Sequence, residues 1–200
     1  MRDLKLMYKK DVEIFFDACA PKWDEEMIRH DDRITKILNY AQINSGVKVL
    51  DVACGTGVLF NDYLSRNVEK VTAVDLSKNM IEIAKAKFND PRIELIHADI
   101  EELELGELYD RCVVYNAFPH FLNPQNLIVC LYHKLKSNGR LTIAHGMSRE
   151  MINAHHREQA SRVSIGLMSV EELSSLLKPL YDVDIALSDN EIYVVSAIKR

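Results

Sequence analysis

The chain lacks the features of membrane, secreted and nucleic-acid-binding proteins. No apolar run in its 200 residues approaches the length of a membrane span, and residues 1–5 do not form an apolar signal segment. The net charge is −5, and the lysines and arginines are scattered without a dense basic run. We therefore expect neither a membrane nor a nucleic acid as partner.

Cysteine is also scarce, and no pair has CxxC spacing. The four cysteines are Cys19, Cys54, Cys112 and Cys130. This pattern favours reduced, mostly buried thiols in a cytosolic protein. We expect a cytoplasmic location.

The pattern of apolar residues predicts a single α/β domain over residues 1–200. From residue 47 onwards, short apolar runs alternate with amphipathic segments. The predicted strands cover 47–52, 70–75, 93–97, 111–115 and 140–144. This alternation indicates right-handed crossovers and a doubly wound, mostly parallel sheet with helices on both faces. Residues 183–187 and 191–198 alternate around a polar turn, which predicts a C-terminal hairpin with an antiparallel strand.

Two helices are expected before the first strand and two after the fifth. The first two cover residues 1–20 and 24–42, and the last two cover 148–162 and 170–177. The helix at 148–162 is rich in polar residues, including Arg149, Arg157 and Arg162. We expect this cap helix to cover a pocket. Its charges would either orient an anionic ligand or form a solvated face.

Two motifs predict a nucleoside pocket where the first strands end. Residues 49–57 read Val-Leu-Asp-Val-Ala-Cys-Gly-Thr-Gly, an apolar run that ends in a glycine turn. Glycines allow the backbone to approach a ligand closely. Residues 71–77 form a second apolar run that ends at Asp75, placed to accept hydrogen bonds from a ribose diol.

These motifs, with His-Ala-Asp-Ile at 97–100 and Tyr-Asn-Ala at 115–117, resemble the class I S-adenosylmethionine-dependent methyltransferases. The similarity is to the small-molecule branch that includes ubiquinone and menaquinone-type enzymes, and it is detailed over 45–145. It implies a Rossmann-like sheet of seven strands with the last one antiparallel. Residues 1–44 would cover the acceptor pocket, 45–145 would form the cofactor-binding core, and 146–200 would add the cap helix, a further helix and the hairpin.

The resemblance implies S-adenosyl-L-methionine as cofactor and S-adenosyl-L-homocysteine as product. Gly55 and Gly57 would line the methionine part, and Asp51 would hold the turn or the amino group. Ala53 stands where many members have glycine. A dinucleotide-binding turn is disfavoured because its third glycine is replaced by Phe60.

The nucleoside part would contact the turns after the second and third strands. The resemblance implies that Asp75 accepts both ribose hydroxyls and that Leu76 packs on the adenine. Asp99 would accept a hydrogen bond from the adenine amino group, with the Ile100 backbone alongside.

The turn after the fourth strand would lie close to the transferred methyl group. The resemblance places Asn116 and Ala117 there. The following residues lack the Asn/Asp-Pro-Pro-aromatic signature of enzymes that methylate amino groups of bases or glutamine. Phe118 and Phe121 suggest a partly apolar acceptor pocket. The other wall would carry aromatic side chains of the N-terminal helices, namely Tyr8, Phe16 and Trp23.

Four histidines are candidates for the acceptor site: His120, His145, His155 and His156. Strands four and five would be neighbours, so the first two follow adjacent carboxyl ends. One or more would bind the acceptor or act as a base near neutral pH, with His120 and His145 as the catalytic candidates. A second hypothesis is a divalent metal site, which we do not expect. A third is that they are solvated or structural.

The sequence thus predicts methyl transfer to a small molecule by in-line displacement. The alternatives are a noncatalytic cofactor-binding sensor or pseudoenzyme, a metal-assisted methyltransferase, and a protein methyltransferase with an open acidic groove. The acceptor atom and the oligomeric state stay open, including a homodimer.

Overall fold

Seven strands form one mixed sheet in the computed structural model, which describes residues 2–200 apart from the side chains of residues 2–6 and Gln159. The strands are β1 (Lys48–Val52), β2 (Lys70–Asp75), β3 (Ile93–His97), β4 (Tyr109–Tyr115), β5 (Leu135–His145), β6 (Tyr181–Ser188) and β7 (Tyr193–Lys199). Their order is β3-β2-β1-β4-β5-β7-β6. The first five pair in parallel, and β7 is antiparallel to both neighbours. The predicted doubly wound sheet with its antiparallel hairpin strand is confirmed.

Helices flank the sheet and begin at residues suited to that position. They are α1 (Arg2–Cys19), α2 (Trp23–Glu26), α3 (Asp31–Tyr40), α4 (Phe60–Ser65), α5 (Lys78–Lys87), α6 (Pro124–Lys134), α7 (Arg149–Gln159) and α8 (Val170–Leu177). Side chains of Ser77, Asn123 and Ser148 accept hydrogen bonds from the first turns of α5, α6 and α7. Such caps satisfy backbone donors that the helix itself cannot.

Apolar side chains pack on both faces of the sheet. Leu50 and Val52 of β1 belong to the larger core, with α6 and α8. Val49 of the same strand belongs to a second core that includes residues of α3, α4 and α5. Parallel strands covered on both faces are typical of α/β folds.

The predicted helix over 24–42 is wrong in its middle. Residues 27–30 separate α2 from α3, and Met27 is extended with φ −75° and ψ 122°. Ile28, which fitted the helical apolar pattern, is 80% exposed. The interruption is held by Arg29, whose guanidinium donates to Asp62 at 2.7 Å and to the Val58 carbonyl. This long-range anchor overrides the local periodicity.

The fifth strand begins earlier than predicted. Leu135 already pairs with Tyr109, and the register resumes with Arg140 opposite Arg111. Residues 136–139 therefore form a bulge at the expected turn, with Asn138 in the left-handed region at φ +61°. Asparagine tolerates that conformation better than most residues.

The cysteines and the helix lengths can be compared directly with the sequence analysis. All four thiols are free, and Cys54 and Cys112 are buried. Within residues 2–200, no helix combines the length and apolar character needed to cross a bilayer.

Candidate functional site

Left-handed backbone conformations cluster where β1 and β4 end. Ala53, Gly55, Gly57 and Asn116 have φ of +56°, +55°, +89° and +55°. This conformation costs about 1–2 kcal/mol for residues other than glycine. Strain of this kind persists where the fold imposes it and is common at ligand sites. The positive φ of Ala53 explains why glycine would also suit this position.

The two glycines of the first turn are required for different reasons. A Cβ on Gly57 would lie 2.5 Å from the Phe60 ring and 2.9 Å from the Phe88 ring. Gly57 therefore allows the rings of Phe60 and Phe88 to pack, and their centroids are 5.0 Å apart. A Cβ on Gly55 would meet only Trp23 Nε1, at 3.9 Å. Gly55 thus leaves bare backbone facing the tryptophan.

Asp75 joins the turns that follow β1 and β2. Its carboxylate accepts hydrogen bonds from the backbone N–H groups of Gly55 and Ser77, both at 2.8 Å. Burial raises the pKa of Asp75 to about 6, although these two hydrogen bonds act in the opposite direction. The carboxylate is therefore mainly ionised at neutral pH and fixed in orientation.

Asp51 carries a buried carboxylate oxygen that has no hydrogen bond of ordinary geometry among the described residues. The residue is 2% exposed, and the oxygen concerned is Oδ2. Burial, and then the charge of Asp75, raise the pKa of Asp51 to about 8, while a hydrogen-bond interaction with the Tyr63 hydroxyl acts in the opposite direction. A buried carboxylate is stabilised by a proton or by a cationic hydrogen-bond donor. The site therefore fits the amino group of a bound amino acid moiety.

Asp99, after β3, is held by the N-terminal helix. Its Oδ1 accepts from the Glu101 backbone N–H at 2.9 Å, and its Oδ2 accepts from Lys9 Nζ. Lys9 Nζ also lies 3.0 Å from Glu101 Oε2. Burial lowers the pKa of Lys9, but hydrogen bonds to the two carboxylates raise it overall. The Lys9 and Asp99 side chains are only 15% and 17% exposed, so this ion pair is largely shielded from water.

Two further contacts tie the N-terminal segment to the same edge of the sheet. Asp17 accepts a hydrogen bond from the Ser77 hydroxyl at 2.5 Å, and Asp24 accepts one from the Thr56 hydroxyl at 2.5 Å. Leu76 packs against a small core that contains Val12 of α1. Helix α1 and the start of α2 therefore cover the turns after β1, β2 and β3.

A row of rings leads from the glycine turn to the histidines. The Phe16 ring is 5.8 Å from the Trp23 ring and 4.8 Å from the His120 ring. The His120 and His156 rings are 4.9 Å apart. Trp23 itself lies beside Gly55. The structure thus brings together two predicted aromatic residues and two of the predicted histidines.

His120 has a defined tautomer because one ring nitrogen faces a carbonyl. Its Nδ1 lies 2.7 Å from the Val163 carbonyl oxygen, which only accepts, so Nδ1 carries the hydrogen. Nε2 then presents a lone pair. Burial lowers the pKa of His120, against the effect of that hydrogen bond. Burial, then the charges of His120 and His155, lower the pKa of His156 to about 4.

The other two histidines lie in contrasting environments. His145 is 0% exposed, and both ring nitrogens lack a partner among the described residues. Burial lowers its pKa to about 3. His155 is exposed, with its ring 6.1 Å from that of His156. Over the described residues, no three His, Cys, Asp or Glu side chains are grouped to hold a metal ion.

The remaining predicted residues differ in burial. Ile100, Ala117 and Phe118 pack in the larger core, with Phe121 partly buried against it. Tyr8 has a buried hydroxyl without a partner in the described part of the chain, and burial raises its pKa to about 12.

Asn116, another predicted residue, also forms a hydrogen bond at this edge of the sheet. Asn116 Oδ1 accepts from the Gly146 backbone N–H at 2.9 Å. Sequence reasoning assigned no role to Lys9 or Asp17, because neither lies in the motifs at 49–57, 71–77, 97–100 and 115–117.

The sheet order with the reversed β7 is the fold of the class I S-adenosylmethionine-dependent methyltransferases, and the chain contains a methyltransferase domain. Residues 49–139 match the family model described as a methyltransferase domain. Solved structures agree on the fold. The N-methyltransferase NodS from Bradyrhizobium japonicum, in complex with S-adenosyl-L-homocysteine, has a TM-score of 0.71 at 14% identity, covering 96% of this chain and 98% of that one.

Curated relatives carry the names of O-methyltransferases. The chain is 37% identical over 145 residues to malonyl-[acyl-carrier protein] O-methyltransferase of Priestia megaterium, covering 66% of this chain and 53% of the relative. It is 32% identical over 162 residues to the mitochondrial ubiquinone biosynthesis O-methyltransferase of Schizosaccharomyces pombe, covering 74% and 59%. The chain therefore spans little more than half the length of these relatives.

Proposed function

We propose that this protein transfers a methyl group from S-adenosylmethionine to an oxygen atom of a small-molecule acceptor. The observation that carries the proposal is the buried Asp51 carboxylate at the end of β1, whose Oδ2 has no hydrogen bond of ordinary geometry among the described residues. A methionine ammonium group would supply the missing hydrogen bond. The names of the curated relatives favour oxygen as the acceptor atom.

The turns after β2 and β3 would hold the nucleoside. Asp75 is fixed by two backbone N–H groups, so its carboxylate is oriented before a ribose diol arrives. Asp99 would accept from the adenine amino group. Leu76 lies next to the apolar residues of α1, in a position to pack on the adenine ring.

His120 is the proposed proton acceptor. S-adenosylmethionine, when bound, supplies an electrophilic methyl group on a sulfonium sulfur. His120 Nε2 would accept the acceptor's hydroxyl proton as the new oxygen–carbon bond forms and the carbon–sulfur bond breaks. The lowered pKa keeps His120 neutral at pH 7, so this lone pair is available. The two nitrogens of His145 are buried and burial lowers its pKa to about 3, which disfavours His145 as a base at neutral pH.

Two measurements test the proposed reaction. Calorimetry should detect binding of S-adenosylhomocysteine, and Asp75→Asn should weaken it by about 1–3 kcal/mol because a buried hydroxyl loses its acceptor. Incubation with methyl-labelled cofactor and a panel of small phenols and carboxylic acids should yield a labelled product. Unchanged affinity in Asp75→Asn would contradict the pocket. Binding without transfer to any acceptor would favour the noncatalytic sensor.

The role of His120 has its own matched pair of variants. His120→Asn keeps a donor for the Val163 carbonyl but removes the base, and kcat should fall about 100-fold or more. His155→Asn changes an exposed neighbour and should leave kcat unchanged. S-adenosylhomocysteine affinity should be the same in both variants. A pH–rate profile unaltered by His120→Asn would remove His120 from the mechanism.

A further inference from the structure

A cavity of about 490 Å³ lies between α7 and the segment that leads to α8. Its lining residues are Arg149, Asn153, His156, Arg157, Ser161, Ser164, Ile165, Gly166, Leu167 and Met168. The volume is in the range of small-molecule sites. The roles proposed above for Asp51, Asp75, Asp99 and His120 do not use this cavity.

The wall formed by residues 161–168 is irregular but firmly held. The Asn153 side chain donates a hydrogen bond to the Leu167 carbonyl at 3.0 Å and accepts one from the Leu167 N–H at 2.7 Å. The Ile165 N–H donates to the Pro119 carbonyl at 2.9 Å. Gly166 has φ +79°, which allows the sharp turn. A segment so anchored keeps its shape without being a helix or strand, as expected of a preformed wall.

The charge in this cavity is of one sign. Two arginines line it, and none of its described lining residues is acidic. Arg149 uses Nε to hold the Leu167 carbonyl at 2.9 Å. Arg157 is exposed, and no described carboxylate forms an ion pair with it. A guanidinium of this kind is suited to bind a carboxylate or phosphate through two parallel hydrogen bonds.

His156 links the lining of the cavity to His120 of the proposed acceptor site. His156 is only 9% exposed, and its Nδ1 lies 2.8 Å from the Ser164 hydroxyl, another lining residue. On its other side, its ring is 4.9 Å from the ring of His120. A molecule in the cavity can therefore contact both Arg157 and His156, and the His120 ring lies next to that of His156.

We propose that this cavity binds an oxyanion carried by the methyl acceptor, with Arg157 as its main ligand. The acceptor is then a small organic anion whose hydroxyl end lies on the side of His156 and His120. This inference rests on the proposed methyl transfer. It adds the class of substrate and a residue that determines specificity.

Binding measurements test it without turnover. Benzoate, phenyl phosphate and the neutral benzamide are titrated by ligand-observed NMR against protein saturated with S-adenosylhomocysteine. At least one anion should bind about tenfold tighter than benzamide, and Arg157→Gln should abolish that preference. Tighter binding of benzoate would indicate an acceptor with a carboxylate, and tighter binding of phenyl phosphate would indicate a phosphate ester. Arg162→Gln, an exposed arginine outside the cavity lining, is the matched control and should retain the preference.

The outcomes separate this inference from the proposed function. Equal binding of the anions and benzamide, or an unchanged preference in Arg157→Gln, overturns the anion site even when methyl transfer is observed. An arginine-dependent preference supports the site by itself. If the wild-type protein does not bind S-adenosylhomocysteine, the proposed function is overturned instead. Arg157 is preferred to Arg149 for the test because Arg149 also anchors the wall.

Discussion

Replacing Lys9 by glutamine should tighten binding of S-adenosylhomocysteine. Lys9 Nζ donates to Asp99 Oδ2, the carboxylate proposed to bind the adenine amino group, so cofactor and lysine compete for one acceptor. A hydrogen bond to a charged group contributes about 1.5–3 kcal/mol, and the lower figure suits a pair that keeps some contact with water. If Lys9→Gln weakens the interaction with Asp99 by about 1.5 kcal/mol, the Kd for S-adenosylhomocysteine should fall about tenfold.

Calorimetry and fluorescence would measure this effect. Trp23 is the single tryptophan and lies beside Gly55, so its emission should report the same binding event. Lys10→Gln is the matched control, because Lys10 is the exposed neighbour on α1. The expected order of affinity is Lys9→Gln above wild type, with Lys10→Gln equal to wild type. Weaker binding by Lys9→Gln would refute competition, since it would make Lys9 a residue that holds the cofactor.

Two further predictions concern the first turn. Asp51, with its pKa raised to about 8, is mostly protonated at pH 7, so an ammonium group that pairs with it should release close to one proton. Calorimetry in buffers of different ionisation enthalpy would detect this release, which should fade above pH 8, and no release at pH 7 would contradict the pairing. Gly57→Ala should lower the free energy of unfolding by about 3 kcal/mol, because strain at φ +89° adds to the clash with Phe60. Gly106→Ala has open space around it and should change stability by less than about 0.5 kcal/mol in the same urea titration, so equal effects would refute the steric argument.

The sequence was most reliable where structure follows from local pattern. β2 and β3 have the predicted bounds, because short apolar runs between polar turns specify strands directly. The reversed β7 was expected because the hairpin signal is also local. The pattern misjudged residues 27–30, where Arg29 contacts Asp62, a residue 33 positions away.

At the candidate site, the sequence determined which residues follow the strands, since glycines and carboxylates after apolar runs constrain the backbone directly. Tertiary structure decided what they touch. The partner of Asp99 is Lys9, which lies 90 residues earlier in the chain. An ion pair between residues so far apart produces no periodic pattern in the sequence. His155 and His156 are adjacent in sequence, yet only His156 is buried beside His120, because successive helical residues point in different directions. Composition and spacing thus indicated the class of protein. The packing of α1 and α7 on the sheet determined which charges and rings face each other.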